Sequence, residues 1–148
     1  MDERREKLIK RIVNMRPKGR PPQMDFYESG MIFVLNFLFD NEDKEIIAGD
    51  IAKKLDVSTA RVAKLLSKLT LKELVYTYPL ENDKRKTVVC LTEKGKLHTR
   101  KKRKEHDEHI GMLIDKVGID DMETFVNISE KIMKVFEEGR RDSFDKDI

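Results

Sequence analysis

The chain has 148 residues, of which 40% are charged and 39% hydrophobic, with a formal net charge of +3 at pH 7. This length favours one domain, and the polar composition favours long exposed helices around a modest core. No apolar run reaches the roughly 18 residues of a membrane-spanning helix, and the charged N-terminus lacks the apolar core of a secretory signal. The single cysteine, Cys90, excludes an intramolecular disulfide and fits a reducing compartment. We therefore expect a cytoplasmic protein that does not enter a membrane.

Basic residues are concentrated in the middle of the chain. Residues 47–95 carry ten basic and six acidic side chains, and residues 96–104 carry six basic and no acidic ones. Acidic residues dominate the flanking segments 25–46 and 105–123. A polyanion would therefore meet a local basic surface, although the whole chain is nearly neutral.

Two helices are predicted before this basic region. The first covers residues 3–15, and the prolines and glycine of Arg16–Pro22 interrupt it. The second begins at Asp25, where Glu28 three residues later completes a capping box. Its segment Met31–Phe39 is apolar on nearly all sides, so we expect it to be the most buried element.

A helix-turn-helix pattern follows. A short helix is predicted over Ala48–Leu55, and Asp56 stands at a turn position that requires the left-handed conformation, which aspartate tolerates. Ser58 is a suitable N-cap for a second helix that ends near Lys72. The apolar residues of this second helix recur at helical spacing on one face: Val62, Leu65, Leu66 and Leu69.

The opposite face of the second helix is small, polar and basic. It carries Thr59, Arg61, Lys64 and Lys68, with Ser58 at the entrance. A short helix with this distribution is typical of helices that contact bases in the major groove. An exposed charged face is more often only solvated, but the preceding turn and the basic hairpin that follows favour DNA contact.

That hairpin is predicted from two alternating segments, Leu74–Tyr78 and Thr87–Leu91. Pro79 has no N–H to donate, so it belongs at a strand end or an edge. The tip between the strands contains three successive cations, Lys84-Arg85-Lys86. Such a tip can reach phosphates or the neighbouring minor groove.

The C-terminal part is predicted to contain two helices. Thr92 caps a long helix that Gly118 ends, and only the second half of this helix is amphipathic. Asp120 and Glu123 form a capping box for a last helix that Gly139 terminates. The apolar residues of the last helix form one stripe: Met122, Phe125, Val126, Ile132, Met133 and Phe136. Because one small copy offers these end helices little core, we expect them to pack together and against a second copy in a two-fold dimer.

The chain resembles the MarR family of winged-helix bacterial transcription regulators over roughly residues 5–138. Four stretches carry the resemblance: Asp25 to Leu38, Ile51 to Ser58, Asp83-Lys84-Arg85, and Leu91 to Gly95. It implies a mainly α, winged helix-turn-helix fold with a single domain over 1–148. The DNA-binding lobe would be residues 47–92, and residues 1–40 and 93–140 would form a helical dimerisation lobe.

The resemblance also implies roles for individual residues. In the family, the second helix of the motif enters the major groove and the wing arginine enters the minor groove. The implied major-groove residues are Ser58, Thr59, Arg61, Lys64 and Lys68. Arg85 would enter the minor groove with Asp83 orienting it, and Lys84 and Lys86 would contact phosphates. The chain departs from the family at Glu73, where glycine is usual, and at Thr77, where arginine is frequent.

Several other features admit two interpretations. The run Arg100–Lys104 is more often a solvated face than a nucleic-acid patch. His98, His106 and His109 supply too few ligands for zinc, so we expect no metal site. Cys90 is interpreted as an inert strand residue. Phe26, Phe33 and Phe37 are more often plain core than the lining of an effector pocket.

We therefore expect a homodimeric repressor that binds a pseudo-palindromic operator in double-stranded DNA, with a small-molecule effector as a further candidate partner. There is no nucleophile–base pair, no phosphate-binding glycine loop and no metalloenzyme motif, so we expect neither catalysis nor a cofactor. The alternatives are a winged-helix module that binds proteins without sequence-specific DNA binding, and a metal-sensing regulator of the same fold.

Overall fold

A computed structural model describes the backbone of residues 2–15 and 26–146 and the side chains of residues 2–15 and 28–141. The helices are α1 (Glu3–Asn14), α2 (Phe26–Asp40), α3 (Ala48–Leu55), α4 (Thr59–Leu71), α5 (Glu93–Val117) and α6 (Ile119–Lys146). The strands are β1 (Val75–Pro79) and β2 (Thr87–Leu91). The predicted break at Arg16–Pro22 and the cap at Asp25 lie outside the described residues. Within the described ranges, no helix is both long enough and apolar enough to cross a membrane.

The chain divides into two compact units, residues 20–104 and residues 1–19 with 105–148. We call their described parts the central lobe (26–104) and the terminal lobe (2–15 and 105–146). α2 lies in the central lobe, and its assignment to a dimerisation lobe stays a prediction. The mainly helical winged fold expected from the sequence is confirmed.

The central lobe is built around one apolar cluster. The cluster joins α2, α3 and α4 to one face of a two-stranded antiparallel sheet in which Val75 lies opposite Leu91 and Thr77 opposite Val89. An isolated bridge from Ile47 to Val88 attaches the start of α3 to β2. The buried members of the apolar cluster are Val34, Leu35, Leu38, Ile46, Ile51, Ala52, Val62, Leu66, Leu69, Leu74, Val75, Val89 and Leu91.

α2 is less completely buried than its composition predicts. Val34, Leu35 and Leu38 are buried, but Ile32 on another side of the helix is 42% exposed. Phe33 and Phe37 stack with their ring centroids 5.7 Å apart and are only partly buried. A helix that is apolar all round can keep one side uncovered within a single chain.

The terminal lobe joins α1 to the second half of α5 and to α6. Its buried cluster consists of Leu8, Ile110, Ile114, Met122 and Val126. Three arginines of α1 form ion pairs around this cluster: Arg4 with Glu123 and Asp120, Arg5 with Asp115, and Arg11 with Glu130. The prediction that the two ends of the chain pack together is therefore confirmed.

Two predictions about α6 are wrong. Asp120 does not cap the helix, because α6 begins at Ile119 and the Asp120 carboxylate pairs with Arg4 instead. Gly139 does not end the helix either, since α6 continues to Lys146. Glycine in a helix interior costs only about 0.5–1 kcal/mol relative to alanine. α6 therefore continues through Gly139 in spite of this cost. Gly118, by contrast, ends α5 with a φ of 102°.

Candidate nucleic-acid interface

α4 is fixed in place by its apolar face. Val62, Leu65 and Leu69 are each 0% exposed. The Ser58 hydroxyl accepts a hydrogen bond from the backbone N–H of Arg61 at 3.3 Å, so the predicted N-cap is confirmed. Asp56 occupies the left-handed region with φ 53°, as the turn requires. The helix therefore starts at a defined residue and cannot rotate without exposing its core side chains.

The predicted DNA-contacting residues of α4 are all on its exposed surface. Ser58, Thr59, Arg61, Lys64 and Lys68 are exposed. Three small residues share that surface, although sequence reasoning did not single them out: Ala60, Ala63 and Ser67. Their helical spacing alone could have identified them, because it sets them opposite the buried face. Together these side chains make a low, cationic helix surface.

The hairpin presents its cations at a closed turn. The Asp83 carboxylate accepts a hydrogen bond from the backbone N–H of Arg85 at 3.1 Å. Leu80 N–H donates to the Lys86 carbonyl at 2.9 Å, and Lys86 N–H donates to the Asp83 carbonyl at 3.0 Å. The Arg85 side chain is 97% exposed, and its Nε lies 3.9 Å from Asp83. Asp83 thus shapes the turn while the Arg85 guanidinium extends into solvent.

α4 ends in a Schellman motif at Glu73, where the MarR family that the sequence resembles usually has glycine. Glu73 N–H donates to the Thr70 carbonyl and Leu74 N–H donates to the Leu69 carbonyl. Glu73 itself adopts φ 59°. The departure at this position is therefore absorbed by a left-handed glutamate rather than by a different helix end.

The basic run Arg100–Lys104 is divided between two roles. Arg103 donates from Nε to the side-chain oxygen of Asn36 at 2.6 Å and pairs with Asp40 at 2.8 Å. Its guanidinium also lies 4.7 Å from the centre of the Phe39 ring. Arg103 therefore attaches α5 to the end of α2, which the charge pattern did not reveal. The other members of the run are exposed.

The remaining candidates are the histidines of α5, Cys90 and the phenylalanines of α2. Within residues 2–15 and 28–141, no group of three or more His, Cys, Asp or Glu side chains could hold a metal ion. Cys90 is half-buried on β2 opposite Tyr76. Hydrogen bonding to the Cys90 thiol raises the pKa of Tyr76 above its usual value. Phe33 and Phe37 pack against the central cluster, and the side chain of Phe26 lies outside the described residues.

Comparisons with known proteins identify the same part of the chain. Residues 31–95 match the winged helix DNA-binding domain family. Among curated proteins, no sequence matches. MepR, a transcription regulator of the Staphylococcus aureus multidrug efflux pump MepA, superposes with a TM-score of 0.64 at 19% identity over 90% of each chain.

Two further solved structures have the same fold. YusO from Bacillus subtilis superposes with a TM-score of 0.63 at 16% identity, over 89% of this chain and 85% of that chain. A Staphylococcus aureus MepR variant bound to an oligodeoxyribonucleotide superposes with a TM-score of 0.56 at 20% identity, over 90% of each chain. Residues 31–95 therefore match a winged helix DNA-binding domain, and the chain has the same fold as MepR and YusO.

Proposed function

We propose that the protein is a homodimeric transcription regulator that binds a pseudo-palindromic site in double-stranded DNA. The single observation that carries the proposal is the division of α4 into a completely buried apolar face and an exposed cationic face. The same lobe presents a second cationic element, the wing tip with Arg85. A helix and a hairpin are the two shapes that enter the grooves of a duplex.

α4 is proposed to occupy the major groove. Arg61 and Lys64 can donate to the acceptor atoms of guanine, which is the commonest specific contact of basic side chains. Ser58 and Thr59 lie at the helix start, where recognition helices contact base edges. Lys68, about two and a half turns beyond Thr59, suits a phosphate contact that fixes the register without specifying sequence.

The wing is proposed to contact the neighbouring minor groove. Arg85 would enter the groove, where narrow A·T tracts concentrate negative potential. Asp83 holds the turn beneath Arg85 through the hydrogen bond to its backbone N–H. Lys84 and Lys86 flank the arginine and are exposed, so they suit phosphate contacts.

The dimer is supported by apolar residues of the terminal lobe that a single chain leaves uncovered. Phe125 is 59% exposed, and the same surface of α6 continues at successive helical positions. Its exposed members are Phe125, Ile128, Ile132, Val135 and Phe136, with Met112, Leu113 and Val117 on α5. Exposed apolar residues of this density mark an interface, and a two-fold partner is the commonest solution. Two copies of α4 would then contact half-sites about 10 base pairs apart.

Repression is the proposed outcome, because a dimer that covers both half-sites within a promoter blocks the access of polymerase. The test of DNA binding begins with selection of duplexes from a random library. Selected sequences should be pseudo-palindromic, with half-sites at the stated separation. Selected sequences that share no common motif would contradict site-specific binding.

Arg85→Ala then tests the wing. We expect affinity for the selected duplex to fall by about 1–3 kcal/mol, with relaxed preference at the base pairs beneath the wing. Arg140→Ala, an exposed arginine on α6, serves as the matched control and should leave affinity unchanged. Unaltered binding by Arg85→Ala at physiological salt would rule out the proposed role of the wing.

The salt dependence of binding to random duplex DNA distinguishes the regulator from a protein-interaction module. Each neutralised phosphate contributes about −0.9 to the slope of log K against log salt. We expect a steep slope that becomes shallower by about one unit in Lys68→Ala. A flat dependence would favour the protein-interaction module.

A further inference from the structure

The segment that connects α4 to β1 and the segment that connects β2 to α5 lie next to each other, and this place is called the junction. α4 ends at Leu71, β1 begins at Val75, β2 ends at Leu91 and α5 begins at Glu93. We propose that Thr92 is a positioning residue that fixes the angle between α4 and the wing through its hydroxyl group. The proposal rests on the proposed function, because this angle matters when both elements must contact one duplex.

The Thr92 hydroxyl connects two chain segments that meet at this junction. It donates a hydrogen bond to the Glu73 carbonyl oxygen at 2.6 Å and accepts one from the Gly95 N–H at 2.9 Å. The backbone N–H of Thr92 donates to the Leu74 carbonyl at 3.1 Å. One residue therefore joins the turn that follows α4 to the first turn of α5.

The turn contacted by Thr92 is conformationally demanding. Glu73 holds φ 59°, a region that residues with a Cβ atom rarely occupy. Such a conformation persists only where the surroundings hold it. The Thr92 hydroxyl contacts the carbonyl of this same residue, so it fixes the peptide plane that sets the direction of the chain into β1.

Gly95 brings α5 into direct contact with that turn. A Cβ atom at this position would overlap the carbonyl oxygen of Leu74, which is backbone and cannot rotate away. The approach leaves no space for a sliding adjustment between α5 and the start of β1. Thr92 and Gly95 together thus account for the Leu-Thr-x-x-Gly pattern at the start of the long helix.

This arrangement has a direct consequence for binding. α4 and the wing tip must each contact a groove. An element that must become ordered on binding weakens the affinity, because the ordering costs conformational entropy. A junction held by the Thr92 hydroxyl presents the two elements already oriented. Without that hydroxyl, we expect the orientation of the wing relative to α4 to vary. A protein bound to DNA through α4 would then not reliably place its wing in the neighbouring groove.

The positioning role can be measured without DNA. Nitroxide labels at Ser67→Cys on α4 and Asn82→Cys on the wing, in a Cys90→Ser background, report their separation by pulsed electron–electron double resonance. Thr92→Val should broaden the distance distribution, whereas Thr92→Ser, which keeps the hydroxyl, should retain the narrow one. Coincident distributions for Thr92→Val and the parent protein would overturn the proposal.

Binding supplies the second readout. In the parent protein, Arg85→Ala should weaken binding to the selected duplex at least about fivefold. In the Thr92→Val background the same change should have less than half that effect, and in Thr92→Ser the full effect. An equal penalty in all three backgrounds would contradict positioning by the hydroxyl.

Two outcomes separate this inference from the proposed function. A parent protein that fails to bind duplex DNA rules out the proposed function, while the label distances still decide whether Thr92 positions the wing. Circular dichroism shows whether each variant folds. If both Thr92→Val and Thr92→Ala are unfolded, the positioning role is overturned, because the hydroxyl then holds the fold rather than the angle of the wing.

Discussion

The central lobe encloses thirteen buried residues in one apolar cluster, whereas the terminal lobe encloses five. The central lobe obtains its cluster from helices on one side and a sheet face on the other, so both layers are supplied by one chain. The terminal lobe has three helices, and a large part of their apolar surface stays uncovered. Phe136, for example, is 67% exposed. The central lobe therefore buries a larger apolar cluster within one chain, whereas the terminal lobe leaves most of the large apolar side chains of α6 exposed.

The largest effect that would sharpen this contrast is expected within the central lobe. Leu65→Ala removes a side chain that is 0% exposed, so we expect the free energy of unfolding to fall by about 2–5 kcal/mol. Leu71→Ala makes the same change at the end of the same helix, where the leucine is 84% exposed, and should have almost no effect. Urea unfolding followed by circular dichroism measures both variants. Equal losses would contradict the assignment of the two faces of α4.

The next largest effect is expected at the uncovered surface of α6. Phe125→Asp with Ile132→Asp should raise the dimer dissociation constant at least about 100-fold, since central interface anchors each contribute about 2 kcal/mol or more. Sedimentation velocity over a range of concentrations measures the change. Lys131→Asp alters the charge by the same amount at an exposed polar position and serves as the control. A parent protein that sediments as a monomer, or a double variant that remains dimeric, would refute the proposed interface.

A smaller effect is expected at two of the positive-φ positions, Glu73 in the central lobe and Gly118 in the terminal lobe. Glu73→Gly removes a left-handed strain of about 1–2 kcal/mol, partly offset by the added freedom of glycine in the unfolded chain. We therefore expect stabilisation of up to about 1 kcal/mol by urea unfolding. Gly118→Ala, at φ 102° with nothing within 4 Å of the added atom, should instead destabilise. Destabilisation by Glu73→Gly would show that its side chain matters more than its conformation.

The smallest effect concerns the ion pairs of α1. Hydrogen bonding from Arg11 lowers the pKa of Glu130 below its ordinary 4.5. A carboxyl whose pKa is lower in the folded than in the unfolded chain stabilises fully above its unfolded pKa. This stabilisation is lost as pH falls through the folded value. The melting temperature should therefore decrease as the pH is lowered below about 4.5. In Arg11→Gln this decrease should be less steep.

Lys7→Gln provides the matched control for the acid dependence. Lys7 pairs with Glu3 within α1 at 2.8 Å, so the pair joins no two helices. The melting temperature of Lys7→Gln should therefore depend on acid pH in the same way as that of the parent protein. An Arg11→Gln variant with the parent's acid dependence would show that the pair with Glu130 contributes no measurable stability.

The local structure of the central lobe could be predicted because each element carries its own signal. Val62, Leu65 and Leu69 recur at helical spacing, and Asp56 and Ser58 mark the turn between the helices. These signals depend on neighbouring residues only. The prediction at Asp120 was wrong for the opposite reason. The Asp120 carboxylate pairs with an arginine that lies 116 residues away in the sequence, and no local pattern reports such a contact.

The candidate site shows the same division. The exposed cations of α4 and the wing tip could be located from periodicity and from the position of a turn. The contact of Arg103 with Asn36 and that of the Thr92 hydroxyl with the Glu73 carbonyl could not, because both depend on which distant group the side chain meets. Arg103 lies in a run of five basic residues whose members look alike in the sequence. Its contacts with Asn36 and Asp40 distinguish it from its neighbours.

The pairing of α1 with α6 imposes an order on folding during synthesis. The apolar cluster of the central lobe needs no residue beyond Leu91, so it can form while the chain is still being translated. α1 precedes the central lobe in the chain but acquires Met122 and Val126 as neighbours only after α6 has been translated. In the proposed dimer, a nascent chain would therefore have a finished winged helix before its α6 surface can contact a second subunit.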